Sequence, residues 1–279
     1  MRSDTDKSNE IIRETVRAGY AAIAIRQSSC CAAPRSGQAD PVRLATAIGY
    51  DMESLVNLPD GANMGLSCGN PVALASLREG QVVLDLGSGG GFDVFLAGEK
   101  VKTSGRVIGV DMTPEMLSRA RANIEAYRQR TGLDNVEFRL GEIEHLPVAD
   151  ASIDVVLSNC VINLSPDKSQ VWREIFRVLK PGGKVSISDL ALLRPLPASV
   201  SEMVGALVGC VAGAVLIDET RDMMEKAGFT SVVLTQKPEY VRQIQNWNDD
   251  PLYMEISRYL PEGTEVADYV TSLSIEAIK

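Results

Sequence analysis

Residues 82–91 read Val-Val-Leu-Asp-Leu-Gly-Ser-Gly-Gly-Gly, a strand pattern that runs into a glycine turn. The strand part is apolar except for Asp85, as expected for a strand covered on both faces. The glycines allow a ligand to approach the backbone closely, and a helix starting at Phe92 would direct its N-terminus toward a carboxylate. Because open parallel sheets bind ligands at the carboxyl ends of their strands, this turn predicts a ligand site.

Strand-like and helix-like patterns alternate from this turn onward. We expect strands at Val82–Leu86, Val107–Asp111, Val136–Leu140, Ile153–Ser158 and Lys184–Ser188, with helices at Phe92–Lys100, Pro114–Arg130 and Lys168–Leu179. Pro114 after Thr113 is a helix-start signal, and Pro181-Gly182-Gly183 is expected to end the third helix after Lys180. The alternation predicts an α/β fold with a doubly wound, mostly parallel sheet.

The two ends of the chain are expected to extend this core. Ser231–Thr235 and Tyr269–Ile278 resemble strands that pair antiparallel at the sheet edge, which brings the sheet to seven strands. Residues 9–26 have helical periodicity, and 27–41 is predicted to be a loop. We therefore divide the chain into a helical cap (1–80), a ligand-binding core (81–190) and a substrate-side segment with closing edge strands (191–279).

Bulk properties exclude several classes of protein. The formal net charge is −9, which argues against a nucleic-acid-binding surface. The longest apolar run, Val204 to Ile217, is too short to span a bilayer about 30 Å thick, and no signal-peptide pattern opens the sequence. We expect a monomeric cytoplasmic protein without membrane contact. In that compartment five cysteines without a Cys-x-x-Cys pair are not expected to form a structural disulfide framework or a zinc ribbon.

The form of the glycine turn discriminates between cofactors. A dinucleotide-binding fingerprint requires glycine at position 92, where this sequence has phenylalanine. The Asp-x-Gly-x-Gly-x-Gly form is instead typical of class I methyltransferases, which predicts S-adenosylmethionine as the cofactor. Asp111 ends the second strand and is placed to accept hydrogen bonds from ribose hydroxyls. In the turn itself, the predicted cofactor-binding residues are Asp85, Gly87, Ser88, Gly89 and Gly91.

Four further positions are predicted to extend the cofactor site. Met112 is placed against the adenine ring, with core packing as the alternative. Ile143 and Glu144 follow the third strand, where adenine is commonly bound, although they could be ordinary loop residues. Asn159 follows the fourth strand, on the side of the transferred methyl group. His145 is the only histidine; a loop residue is the preferred interpretation, with a proton shuttle as the alternative.

Motifs on both sides of the glycine turn make a family resemblance specific. Together they resemble the arsenite S-adenosylmethionine methyltransferases from about Gly19 to the C-terminal strand. Asn159–Leu164 is the most specific part, whereas Arg177–Gly183 occurs in many small-molecule methyltransferases. The motifs are Leu66-Ser67-Cys68-Gly69-Asn70-Pro71, Asp85–Gly91, Ser158-Asn159-Cys160-Val161-Ile162-Asn163-Leu164 and Gly209-Cys210.

The resemblance implies a substrate and a role for each thiol. Cys160 and Cys210 would hold As(III), supplied as a thiol complex, and Cys68 would contribute a further thiol. The cysteine near position 30 would pair with Cys68 during redox turnover; Cys30 and Cys31 both fit, with Cys31 preferred. Longer family members have an additional C-terminal region that this sequence largely lacks. The expected biological role is arsenic detoxification, with thioredoxin or glutathione as the reductant.

The chemistry of thiolates independently supports As(III) as the bound substrate, because soft sulfur ligands suit a soft metalloid. The alternative for each cysteine is a buried small apolar residue. If the thiols are incidental, the chain would be a C- or O-methyltransferase of a quinone or another small metabolite. A non-catalytic metalloid-binding protein is a third possibility, but it leaves the glycine turn without a purpose.

Overall fold

A computed structural model describes residues 4–26, 41–56, 58–208, 210–238 and 251–279. The described strands form one seven-stranded sheet in the order β3-β2-β1-β4-β5-β7-β6, in which only β7 runs antiparallel to its neighbours. The predicted fold class, a doubly wound and mostly parallel sheet, is therefore confirmed. The strands are β1 Val82–Leu86, β2 Arg106–Asp111, β3 Val136–Leu140, β4 Ile153–Asn159, β5 Leu179–Leu192, β6 Thr230–Lys237 and β7 Val270–Ile278.

Helices cover both faces of this sheet. In chain order they are α1 Asp4–Arg26, α2 Pro41–Ala47, α3 Met52–Val56, α4 Pro71–Ala75, α5 Phe92–Val101, α6 Pro114–Ala122, α7 Ile124–Thr131, α8 Lys168–Val178, α9 Ala198–Ser201, α10 Val204–Val208, α11 Ile217–Ala227 and α12 Pro251–Ser257. Short 3₁₀ turns occur at Ile162–Leu164 and Val266–Asp268. Among the described residues, no helix is long and apolar enough to cross a membrane.

Several element boundaries differ from the sequence prediction, most clearly around α6, α7 and α8. The expected helix Pro114–Arg130 is two helices, interrupted at Asn123. The helix α8 ends at Val178, before the Pro-Gly-Gly stretch, because β5 already begins at Leu179. Gly182 and Gly183 exchange backbone hydrogen bonds with Lys279, so this residue holds the stretch in the sheet.

The core lies in layers on the two sides of the sheet. One apolar cluster packs β1, β2 and β4 against α5 and α6, and the other packs the sheet against α8 and α11. A third buried cluster lies past the carboxyl ends of β4 and β5 and contains the cysteines at 68, 160 and 210. The sheet topology thus brings the glycine turn and three thiols to the same edge.

Candidate active site

The glycine turn has the backbone conformation that its residue types require. Gly87 and Gly89 have φ values of +64° and +50°, in the left-handed region that side chains disfavour. A Cβ atom at Gly87 would collide with Val161, whereas at Gly89 it would meet no atom within 4 Å. Gly87 is therefore needed for close packing of the turn against the loop after β4. Gly89 leaves open space for a ligand.

Asp111, at the end of β2, holds this turn in place. Its carboxylate accepts hydrogen bonds from the backbone N–H of Gly89 at 2.9 Å and of Thr113 at 2.8 Å. Burial raises the pKa of Asp111, and these backbone donors oppose that rise. Thr113 is the N-cap residue of α6 but makes no capping hydrogen bond with its side chain, and its N–H donates to the Asp111 carboxylate.

A cavity opens between the glycine turn and α1. All the residues predicted to bind the cofactor line it except Gly91, which is the N-cap of α5 and faces Phe95 and Phe138. From α1, Arg13, Val16 and Tyr20 close the opposite wall. The cavity measures about 110 Å³, below the roughly 300–1,000 Å³ typical of ligand pockets.

Charge complementarity supports a cationic ligand in this cavity. Asp85, Asp93 and Asp111 are buried in its wall, and Glu144 is buried beside the segment after β3. Burial, followed by the charges of Asp93 and Asp111, raises the pKa of Asp85. Such a set of carboxylates fits S-adenosylmethionine, which carries a sulfonium and an ammonium group against one carboxylate. Asp111 remains available for the ribose hydroxyls.

Asp93 belongs to a buried hydrogen-bond network that no sequence motif indicates. Its carboxylate accepts hydrogen bonds from the Tyr50 hydroxyl at 2.6 Å and from Asn159 Nδ2 at 3.2 Å. Burial raises the pKa of Asp93 to about 6, although both hydrogen bonds lower it. Asn159 also accepts the N–H of Cys68 at 2.9 Å and donates to the carbonyl of Gly69 at 2.9 Å. The network therefore connects the cofactor cavity to the segment that carries Cys68.

Three cysteines that are far apart in the sequence converge beside the cavity. Cys68 and Cys160 are joined by a disulfide, with their Cα atoms 6.0 Å apart. The Cys210 thiol lies 3.1 Å from the carbonyl oxygen of Cys160 and donates to it. All three are buried, and Cys160 lines the cofactor cavity. Cys30 and Cys31 lie outside the described residues, so their predicted pairing with Cys68 stays a prediction.

Asp189, near the end of β5, braces the loop that follows Cys160. Its carboxylate accepts hydrogen bonds from Ile162 N at 2.9 Å, from Asn163 Nδ2 at 2.8 Å and from Leu190 N at 2.8 Å. One carboxylate oxygen and the sulfurs of Cys68 and Cys160 lie within 4.8 Å of one another. This brace matters because Cys160 has a φ of +55°, which is unfavourable for a residue with a side chain.

His145 contributes no side chain to the cavity lining found among the described residues. Its backbone N–H donates to the carbonyl of Glu142 in the turn after β3. The preferred interpretation as a loop residue agrees with this position. Glu144, the preceding residue, faces inward and accepts hydrogen bonds from Arg13 Nε at 3.3 Å and from the Ser165 hydroxyl at 2.7 Å.

The strand order, the reversed seventh strand and the acidic cavity at the glycine turn define a class I methyltransferase that depends on S-adenosylmethionine. A family model for a methyltransferase domain matches residues 77–228. The arsenite methyltransferase of Halobacterium salinarum is 44% identical over 98% of this chain and 68% of its own length. The chain belongs to the arsenite methyltransferase family.

Two other relatives are similar over different shares of their length. The arsenite methyltransferase of Aquipseudomonas alcaligenes is 43% identical over 58% of this chain, and the match spans 47% of that relative. The crystal structure of an arsenic(III) S-adenosylmethionine methyltransferase from Chlamydomonas reinhardtii superposes with a TM-score of 0.63. It is 34% identical and covers 87% of this chain and 75% of the other.

Proposed function

We propose that this enzyme methylates trivalent arsenic held by Cys68, Cys160 and Cys210. Family membership supports arsenite as the substrate. The packing of Cys68, Cys160 and Cys210 into one buried cluster beside the cofactor cavity is the observation that carries the proposal, and of the three sulfurs only those of Cys68 and Cys160 lie within 4.8 Å of one another in the group with Asp189. The arsenic would arrive as a complex with a small thiol and be exchanged onto the protein sulfurs. Methylation of arsenic in the cytoplasm would serve detoxification.

The residues of the chain supply ligands and orientation. Asp85, Asp93 and Asp111 would hold the cationic cofactor, and three thiolates would leave a lone pair on arsenic in a pyramidal site. When bound, S-adenosylmethionine supplies an electrophilic methyl group on its sulfonium. The arsenic lone pair would attack the methyl carbon, whose bond to the sulfonium sulfur would break and leave a neutral thioether. No proton would be transferred, so the site would need no general base. Proximity and orientation can contribute roughly 7–11 kcal/mol to such a step.

The thiols would also govern redox turnover. Methyl transfer leaves arsenic formally pentavalent, and two electrons from a cysteine pair would return it to the trivalent state as a disulfide forms. Cys68 and Cys160 are joined in this structure, and in that form their sulfurs are not free thiolates. A thiol reductant would therefore be required both to open the site and to sustain turnover. Glutathione or thioredoxin would supply these electrons.

Arsenic speciation tests the proposal directly. Pure protein is incubated with S-adenosylmethionine, arsenite and excess thiol, and the products are separated by chromatography with elemental mass detection. We expect methylated arsenic that is absent without cofactor. Cys160→Ser and Cys210→Ser should each lose As(III) binding and product, because the site loses a thiolate that serine cannot replace.

Asp85→Ala is the matched control for the cysteine variants. It should weaken cofactor binding in a titration and leave As(III) binding by the thiols intact. Normal arsenic methylation by either serine variant would contradict the proposed ligand set. Absence of product despite confirmed cofactor binding would favour methyl transfer to carbon or oxygen of a quinone or another small metabolite.

A further inference from the structure

A second cavity lies on the other side of the cysteine pair. It has a volume of about 410 Å³, within the range typical of small-molecule sites, and shares no lining residue with the cofactor cavity. Cys68 lines this second cavity, whereas Cys160 lines the first. The disulfide between them therefore joins a residue of one cavity wall to a residue of the other. We call this second space the outer cavity.

The register of the sheet assembles a polar floor for the outer cavity. Ser272 and Ser274 project from the same face of β7 because they are two residues apart. Ser188 of β5 is paired with Ser274, and Lys237 of β6 is paired with Ser272. These four residues line the cavity together with Cys68 and Asn70. Neighbouring strands thus place three hydroxyl groups and one ammonium group around the route to Cys68.

The charge of the outer cavity contrasts with that of the cofactor cavity. Within the described ranges, no aspartate or glutamate lines the outer cavity and Lys237 forms no ion pair. The cofactor cavity, by comparison, is lined by three aspartates and one glutamate. A small anionic molecule is therefore compatible with the outer cavity and disfavoured in the other. Cys68 is only 3% exposed, so a slender molecule reaches it more readily than the surface of a second protein.

We propose that the outer cavity binds the small anionic thiol that reduces the disulfide of Cys68. This inference rests on the proposed function, because it assigns the entry point of the reductant to that reaction. A low-molecular-weight thiol with carboxylate groups, such as glutathione, matches Lys237 and the hydroxyl groups of Ser188 and Ser274, whereas the Ser272 hydroxyl already donates to the Cys68 carbonyl at 3.0 Å. Separate cavities allow reduction to proceed while the cofactor remains bound.

The reduction is an ordinary thiol–disulfide exchange. The thiolate of a first reductant attacks Cys68 Sγ, forms a mixed disulfide with it and expels Cys160 as a thiolate. A second reductant thiolate attacks the sulfur of the bound reductant, which releases the Cys68 thiolate and the oxidised reductant dimer. Two thiols thus supply the two electrons, and their two protons are taken up by the cysteine pair or by solvent.

A charge reversal at Lys237 tests the proposal without requiring arsenic chemistry. Oxidised full-length protein is mixed with glutathione, and the free and mixed-disulfide forms of each cysteine are followed by alkylation and mass spectrometry. For Lys237→Glu we expect reduction by glutathione to slow about five- to tenfold, an effect that salt weakens. Reduction by the uncharged dithiol dithiothreitol should be unchanged, and the mixed disulfide should appear on Cys68.

Two further variants complete the design. Lys226→Glu, an exposed residue of α11, changes the net charge equally and should reduce normally with both thiols. Ala73→Leu adds bulk in the outer cavity and should slow both reductants, because it acts by steric exclusion. Unchanged glutathione kinetics in Lys237→Glu, equal slowing in Lys226→Glu, or a mixed disulfide on Cys160 would overturn the proposal.

These outcomes are separable from a failure of the proposed function. The exchange assay measures the cysteine disulfide alone, so it gives an answer even if no arsenic is methylated. Conversely, methylation sustained by glutathione at a normal rate in Ala73→Leu would support arsenic methylation and exclude the outer cavity as the route of the small thiol.

Discussion

Asp93 is a side chain whose charge state is expected to control cofactor binding. Burial raises the pKa of this carboxyl to about 6. Asp93 therefore changes its charge within the pH range in which enzymes commonly work. It lines the cofactor cavity next to Asp85, and both are placed to balance the positive charge of S-adenosylmethionine. Below pH 6 Asp93 gains a proton and loses its charge. The affinity for a cation must then fall.

We therefore expect the affinity for S-adenosylmethionine to decrease below pH 6, by at most about tenfold per pH unit for one proton. S-adenosylhomocysteine, which lacks the sulfonium charge, should be less sensitive to pH. Asp93→Asn should bind S-adenosylmethionine more weakly at pH 8 and remove most of this pH dependence. Calorimetric titrations of both ligands from pH 5 to 8 measure the effect. An equal pH dependence for the two ligands would contradict an electrostatic origin.

Asp189 is predicted to contribute to stability through the loop that carries Cys160. Its buried carboxylate accepts hydrogen bonds from Ile162, Asn163 and Leu190, and hydrogen bonds to charged groups contribute about 1.5–3 kcal/mol each. Asp189→Asn places an amide donor against these N–H groups. We expect the free energy of unfolding at pH 7 to fall by about 2–4 kcal/mol. Urea denaturation measures this change.

The control for Asp189 is Asp222→Asn, at an exposed position on α11. That variant should unfold within about 0.5 kcal/mol of the wild type, as is usual for surface substitutions. If Asp189→Asn is as stable as this control, the carboxylate does not brace the loop.

The helix α1 is the element that we expect to control access to the cofactor cavity. Arg13, Val16 and Tyr20 recur at helical spacing and face the cavity. Arg17 on the neighbouring stripe forms an ion pair of 3.3 Å with Glu142, which joins α1 to the turn after β3 without lining the cavity. Because these side chains close the wall opposite the glycine turn, we expect α1 to move when the cofactor enters.

Arg17→Ala should therefore accelerate association and dissociation of S-adenosylhomocysteine together. A partly exposed ion pair contributes up to about 1 kcal/mol, which corresponds to a change of about fivefold in both rate constants with little change in affinity. Rapid-mixing binding measurements test this. Arg173→Ala, which removes a hydrogen bond to Gln170 on α8, is the control and should leave both rates unchanged. Unaltered rates in Arg17→Ala would show that α1 does not limit access.

The elements that the sequence predicted well are those with strong local patterns. The bounds of β1 and β3 agree with the prediction, because apolar runs and the glycine turn delimit them. The prediction for β5 was too short, since pairing with Ile153 of β4 begins the strand at Leu179 and pairing with β7 extends it to Leu192. The Pro-Gly-Gly signal predicted the end of α8 to within two residues, but it did not indicate that the stretch itself belongs to a strand, where Gly182 and Gly183 exchange hydrogen bonds with Lys279, almost a hundred residues later. Tertiary contacts of this kind leave no local pattern.

The candidate site, too, was predicted only where local sequence patterns define its residues. The residues predicted from the glycine turn and from the strand ends lie together, because parallel strands present their carboxyl ends at one edge. Asp93, Tyr50 and Asp189 were not predicted. Tyr50 precedes Asp93 by 43 positions and belongs to no motif, so only the folded chain brings the two together. The outer cavity likewise depends on the order of β5, β7 and β6, which local sequence does not specify.

Asn159 connects the two halves of the site, and this predicts coupling between cofactor and substrate. It donates to Asp93 and to the Gly69 carbonyl and accepts from the N–H of Cys68, so ordering either side restrains the other. Saturating S-adenosylhomocysteine should therefore strengthen arsenite binding to reduced protein several-fold, about 1 kcal/mol of coupling.

Equilibrium dialysis with elemental mass detection measures arsenite affinity with and without S-adenosylhomocysteine, and the reverse titration must give the same ratio because coupling is reciprocal. In Asn159→Ala the ratio should approach one, even where each ligand still binds, because the link between Cys68 and Asp93 is lost. Asn123→Ala, at the junction of α6 and α7, should keep the wild-type ratio. If Asn159→Ala keeps the wild-type ratio of arsenite affinities with and without S-adenosylhomocysteine, the coupling passes through the packed loops after β4 and β5 and not through the Asn159 amide.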